Sequence, residues 1–240
     1  MSTPRSDLVE AAHVLSRLRL VTAYGHVSTR AGTSMLITPA ADLASVTESD
    51  MVDVSLEAQA LPRGAPAEAW AHVALYRARP DAGSIARAQP AAAFAAAATT
   101  TSLTPLHGQA TWLGESIPVH DSAHLLRSPA LAEHAARSLP IGEALLLRGN
   151  GAITLGTTPG MAVARMWLLS AACDAYLAAR AAGPVHPLTA EETASWRAVC
   201  DQLLPRLWHH LRRNGVGESP ALTDRWPPRP AGAPAGCGPR

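Results

Sequence analysis

Aromatic residues are scarce in this chain, at 4% of its 240 residues, and six of the ten present are Trp. Charge of one sign is scarce as well: 20 basic residues face 19 acidic ones, for a formal net charge of +1 with no basic block. A nucleic-acid or lipid partner needs a clustered positive field, so neither is expected. No apolar run approaches the roughly 18 residues of a membrane span. Asp7 and Glu10 stand where a signal peptide would need an apolar segment, and the expected location is cytoplasmic. The three cysteines, Cys173, Cys200 and Cys237, are far apart and odd in number, which excludes a disulfide framework and any metal-ligand spacing. Cys173 and Cys200 lie in helical patterns and read as packed thiols. Internal repeats are absent too.

What is present is enough apolar content, 48%, for one substantial core. The expected organisation is a single domain over residues 1–218, followed at 219–240 by a Pro-, Gly- and Ala-rich tail without apolar period, which reads as disordered. Within the domain, Asp7 and Glu10 open a helix with an apolar face of Leu8, Ala11, Ala12, Leu15 and Leu18 that stops near Leu20. A hairpin follows, with Gly25-His26-Val27-Ser28 entering one strand and Met35-Leu36-Ile37-Thr38 forming the other until Pro39. Residues 50–56 alternate as a half-exposed strand. Pro66 starts a helix that runs to Arg79. Gly83–Ala88 is a strand, Pro90–Ala98 a helix, Leu106–Gln109 a loop, Ile117–Val119 an edge strand and Pro129–Ser138 a helix. A long helix from Pro159 is closed by Gly183, and Thr189 with Glu192 caps a last helix ending near Asn214. Strands and helices alternate irregularly with hairpins at both ends of the series, which predicts a three-layer α/β/α sandwich around a central mixed sheet.

Two features invite chemistry. Leu145–Gly156 carries two apolar runs around Arg148-Gly149-Asn150-Gly151, and its Asn150 is either a hairpin apex chosen for its backbone torsion or a polar group on a site loop. Glu68 falls in the first turn of its helix, where the helix dipole stabilises a carboxylate by about 0.3–1 kcal/mol, so a purely structural role is reasonable.

Gly25-His26-Val27-Ser28, Leu36-Ile37-Thr38-Pro39, Tyr76-Arg77-Ala78-Arg79-Pro80-Asp81 and Leu147-Arg148-Gly149-Asn150-Gly151 with Gly156, in that order, resemble the class II aldolase/adducin family over roughly residues 7–182. The resemblance implies a homo-oligomer, usually a cyclic tetramer with sites between subunits. It also implies enzymes that make or break carbon-carbon bonds, or isomerise sugar phosphates, with a divalent metal. In the family that metal is held by a His-x-His pair after the Arg-Pro-Asp stretch and by a His in the later glycine turn, with a helix-start Glu as acid/base.

The three imidazole positions are occupied here by Arg87, Gln89 and Asn150. Arg keeps its proton and repels a cation, so no metal is expected at those positions. The family's phosphate turns are altered as well: His26 replaces an Asn, and Ala40-Ala41 follows Pro39 where Ser-Gly is common. The Gly-His-Val-Ser version resembles a branch that includes decarboxylases of aromatic acids, which favours a small carboxylate substrate over a sugar phosphate.

Two readings of the replacements remain. In one, the scaffold is a catalytically silent binding or structural protein, as adducin itself exemplifies. In the other, Arg87, Gln89 and Asn150 are donors for a developing oxyanion in a decarboxylase or retro-aldol lyase without the usual metal. The second is favoured, because a lone buried Arg without an anion costs several kcal/mol. It takes Glu68, Arg87, His107 and Asn150 as catalytic and His26, Ser28, Gln89 and Gly151 as substrate contacts. His72, His120 and His124 read as core or surface residues.

Overall fold

The computed structural model describes residues 3–214; the expected tail at 219–240 lies outside them. The chain runs α1 (Pro4–Arg17), β1 (His26–Ala31), β2 (Ser34–Ile37), β3 (Val52–Ser55), α2 (Ala69–Ala78), β4 (Ser84–Ala88), α3 (Ala91–Thr99), β5 (Ser102–Leu103), β6 (Ile117–His120), α4 (Pro129–Arg137), β7 (Ala144–Leu147), β8 (Gly151–Gly156), α5 (Pro159–Ala182), α6 (Ala190–Arg197) and α7 (Cys200–Arg213). The eight strands form one sheet in the order β3-β2-β1-β4-β8-β7-β6-β5. Only β6 and β7 pair in parallel, so the sheet is mixed, as expected.

Side-chain alternation along the strands makes the three layers. Val27, Ala86, Ala88, Leu146 and Ala152 face a core shared with α1, α3, α5 and α7. Their sequence neighbours Ile85, Leu145, Leu147 and Ile153 face a second core shared with α2 and α4. All five residues of β4 are therefore buried, as a strand covered on both faces requires. Arg87 has the same parity as Ile85 and points toward the α2 layer.

Several local expectations change. Thr3, not Asp7, caps the first helix: its hydroxyl accepts from Ser6 N at 3.1 Å, with Pro4 at the first helical position. That helix stops at Arg17, short of Leu20, because Arg19 takes a φ of 55°. Ile117–Val119 is not the sheet edge, since the two-residue β5 pairs outside it, Ser102 opposite Pro118. Of the expected loop at Leu106–Gln109, Leu106 and His107 are irregular, while Gly108 opens a 3-10 turn that runs to Leu113. The last helix is broken in two after Arg197. The break lets Trp196 of α6 pack on Gly108 and Trp208 of α7 pack on Gly160 of α5, contacts that no longer side chain at either glycine would permit.

By length and composition α5 is apolar enough to cross a membrane, contrary to the absence of such a run expected above, but half of that window is buried inside the fold. It packs along β4 and β8 as a core helix. The Arg79-Pro80-Asp81 stretch is a clamp: Arg79 pairs with Asp81 at 2.7 Å and donates to the Gly142 carbonyl at 2.6 Å, tying the end of α2 to the approach of β7.

Candidate functional site

The middle of the sheet carries one charged side chain in its interior. Arg87 lies on β4, directly opposite His26 of β1 and Ile153 of β8, and is 1% exposed. A guanidinium cannot shed its charge there, so its surroundings must supply compensation.

Glu68 supplies it. The residue occupies the cap position of α2, but its carboxylate makes no capping bond to the helix. Instead Oε2 lies 3.3 Å from Arg87 Nη1 and 3.7 Å from His26 Nε2, while Oε1 accepts from Arg87 Nη2 at 3.4 Å. The contact with His26 and the Arg87 charge hold the Glu68 carboxyl below its ordinary range against the opposing effect of burial. The helix-dipole explanation of Glu68 gives way to a pairing role, and Arg87 is not a lone cation awaiting an external anion.

Asn150 closes the other side. The turn that presents it needs positive φ at Gly149 (68°) and Gly151 (88°), and a Cβ at Gly151 would collide with the Ala88 carbonyl. The Asn150 Oδ1 accepts from Arg87 Nη2 at 2.6 Å. Since Arg only donates, the amide oxygen must face it, which turns the Nδ2 group away. Arg148 braces the turn from outside, its backbone N donating to the His120 carbonyl at 3.1 Å and its Nε to the Asp121 carbonyl.

The cluster is incompletely satisfied. His26 Nδ1, Arg87 Nε and Asn150 Nδ2 are buried without a hydrogen-bond partner, and Arg87 Nη1 has only its ion pair. Buried polar groups are normally paired, so unpaired ones in a single cluster indicate where water or a ligand belongs. Burial lowers the His26 pKa, with Glu68 opposing, and the imidazole is neutral at physiological pH.

Outside this cluster lies a cavity of about 220 Å³ whose lining includes Tyr24, His26, Ala40, Glu68 and Arg127. Glu68 and His26 form its polar inner wall, Arg87 is not among its lining residues, and the exposed Arg127 contributes a second guanidinium. Ala40 and Ala41 line it where the family commonly has Ser-Gly, so the hydroxyl that would meet a phosphate is missing.

The remaining expected residues fall differently. Gln89 is half-buried just past β4, its Cγ against Gly151, and so belongs to the neighbourhood of the turn. Ser28 is fully buried, its hydroxyl 2.7 Å from His72 Nδ1 and 2.9 Å from the Tyr76 hydroxyl, which ties β1 to α2. It is not among the residues that line the cavity. His107 stands at the start of the 3-10 turn that follows the outermost strand β5, four strands from β4, and among the described residues no hydrogen bond or ion pair links it to the cluster. Arg127 and His72 were not legible as site residues. Arg127 sits in an irregular segment without a motif, and the position of His72 beneath His26, ring centroids 6.4 Å apart, depends on helix packing.

Class II aldolases usually use a divalent metal, and the positions that would hold it here are Arg87, Gln89 and Asn150. They do not fit one. The fixed positive charge of Arg87 stands at the centre, and its Nη2 already occupies the Asn150 oxygen a cation would need.

The class II aldolase and adducin N-terminal domain matches residues 6–177. The chain is 31% identical to alpha-adducin of Rattus norvegicus over 162 residues, which are 63% of this chain and 22% of that protein, so it spans under a quarter of the length of that curated relative. L-fuculose-1-phosphate aldolase from Thermus thermophilus superposes with a TM-score of 0.69 at 27% identity, covering 76% of this chain and 98% of that one. L-fuculose 1-phosphate aldolase from Glaciozyma antarctica has a TM-score of 0.70 at 20% identity, covering 89% and 91%.

Proposed function

Since the chain belongs to the class II aldolase and adducin family, we propose that it is a carbon-carbon lyase, a decarboxylase in the first instance, acting on a small carboxylate without a metal at the family position. The observation that carries this reading is the pairing of Glu68 and His26 on the wall of a cavity, backed by Arg87 and surrounded by unpaired buried donors. The sequence contains no lysine, so no lysine Schiff base is available as an electron sink. The positive field of Arg87 and Arg127 takes that part.

In this mechanism Arg127 holds the substrate carboxylate or an adjacent oxygen at the rim. The bond to the carboxyl carbon breaks, carbon dioxide leaves, and the electron pair passes to a neighbouring carbonyl or ring oxygen, whose developing charge the guanidinium field and the donors of His26 and Asn150 stabilise. The carbon left behind takes a proton from a water held by the ionised Glu68 carboxylate and neutral His26, and the hydroxide that remains combines with the released carbon dioxide as bicarbonate. Oligomerisation belongs to the same proposal: a neighbouring copy supplies the His107 loop that is remote from the site within one chain.

A second reading has its own support. The Glu68–Arg87 pair neutralises itself without any ligand, and the similarity to alpha-adducin fits a silent binding or structural protein.

A thermal-shift screen of small carboxylic acids separates the two. A ligand present at about 100 times its Kd adds about 2.7 kcal/mol of stability, and for each hit carbon dioxide release is measured. Arg127→Ala is expected to weaken binding about tenfold, since a charge-assisted bond to an exposed Arg is worth about 1.5 kcal/mol, with no loss of stability. Absence of any binder, or binding indifferent to both Arg127→Ala and His26→Ala, sinks the enzyme reading.

A further inference from the structure

We propose that His120, Asp121 and His134 form a binding site for one divalent transition-metal ion, distinct from the Glu68–Arg87 cluster and from the family's metal position. His120 ends β6, Asp121 follows it, and His134 arrives from the last turn of α4. One ligand atom from each lies within 4.8 Å of the other two. The two imidazole rings stand edge to face, centroids 4.9 Å apart and planes at 79°.

The donor set selects the ion. Two imidazoles and one carboxylate suit zinc, cobalt, nickel or iron rather than magnesium or calcium, which prefer all-oxygen shells. Three protein ligands leave a coordination position open to water. Zinc-nitrogen bonds of 2.0–2.1 Å put tetrahedral donors about 3.3 Å apart, so donors that lie within 4.8 Å of one another must approach by up to about 1.5 Å. His134 and Asp121 are exposed and free to rotate inward, while the buried His120 is the fixed member.

His120 is oriented as a ligand should be. Its Nδ1 lies 3.0 Å from Ser138 Oγ, which leaves Nε2 for the ion, and metal-binding histidines characteristically spend the second nitrogen this way. Its backbone is pinned by the parallel register with Leu147 of β7 and by the bond from Arg148 N. Arg148 is a neighbouring positive charge that disfavours a cation, and the Asp121 carboxylate offsets it.

The site stands on different residues from the lyase pocket, none of which lines that cavity, so the two proposals fail separately. The full chain, stripped with a chelator, is titrated with Co²⁺ and with Zn²⁺ by calorimetry and by the visible absorption of bound Co²⁺. One ion per chain is expected. His134→Ala and Asp121→Asn, both surface changes checked for folding by circular dichroism, are each expected to weaken binding at least tenfold, and Ser138→Ala about tenfold through loss of the orienting bond. Failure to bind one ion, or binding unchanged in both surface variants, overturns the assignment and points in the second case to His209 and His210 of α7.

Discussion

Arg87 and Glu68 are paired inside the protein, Nη1 to Oε2 at 3.3 Å, with the arginine 1% and the glutamate 8% exposed. Arg87 comes from the centre of the sheet and Glu68 from the start of the helix lying over it, so the pair is a fastening between two layers as well as a piece of electrostatics. Removing one partner leaves the other as an uncompensated buried charge. Arg87→Ala is therefore expected to destabilise the fold by about 3–5 kcal/mol. The double change Arg87→Met with Glu68→Leu removes both charges and is expected to recover most of that loss. Urea unfolding of the wild type and these variants checks this, and a double variant no more stable than Arg87→Ala would show that the two residues do not act as a pair.

Acid should weaken the protein in two stages. Burial holds His26 and His72 below the ordinary imidazole pKa of about 6.5, so as pH falls the unfolded chain takes up protons first. Stability from keeping these rings neutral is complete above about pH 6.5 and is lost as the pH drops below it. Glu68 is also held below its ordinary value, so its contribution is present above about pH 4.3 and is lost further down, in the same direction. Denaturation midpoints measured from about pH 8 to about pH 5 should fall only over the acidic half of that range. His72→Gln is expected to flatten the slope there, and a level wild-type profile across the whole range would contradict the burial assignment.

Two glycines with similar torsions separate backbone strain from packing. Gly32 has a φ of 63° and open space within 4 Å of where a methyl group would stand, whereas Gly151 has a φ of 88° and meets the Ala88 carbonyl and Gln89. Gly32→Ala should cost only the left-handed torsion, about 1–2 kcal/mol. Gly151→Ala should cost more and also displace Asn150, removing the 2.6 Å bond to Arg87. Thermal unfolding of the two variants, with a crystal structure or amide-proton shifts around Arg87, gives the comparison; equal losses would mean that the turn yields without disturbing the cluster.

Much of the architecture was legible because it rests on local rules. Apolar alternation and turn glycines located β1, β2, β4, β7 and β8, and the Thr158 and Thr189 caps with Gly183 bounded α5 and the start of α6. The two residues of β5 carry no period to read, and Trp196 docking on Gly108 is a long-range contact that local propensity does not encode. At the site, Glu68, Arg87 and Asn150 stood out as residue types at family positions, and they do meet. Ser28 and His107 shared that kind of signal, yet one is committed to His72 and Tyr76 and the other lies towards the far side of the sheet.

Taken alone, the sequence determined the family, the layer pattern and the chemical fact that a permanent cation stands where the family places an imidazole. Only the tertiary structure decided what that cation faces. Glu68 and Asn150 are 19 and 63 residues from Arg87 along the chain, and they reach it through the register of β4 with β8 and the packing of α2 on the sheet. A buried charge is governed by what lies within a few ångströms of it, and such neighbours are chosen by folding rather than by residues adjacent in sequence.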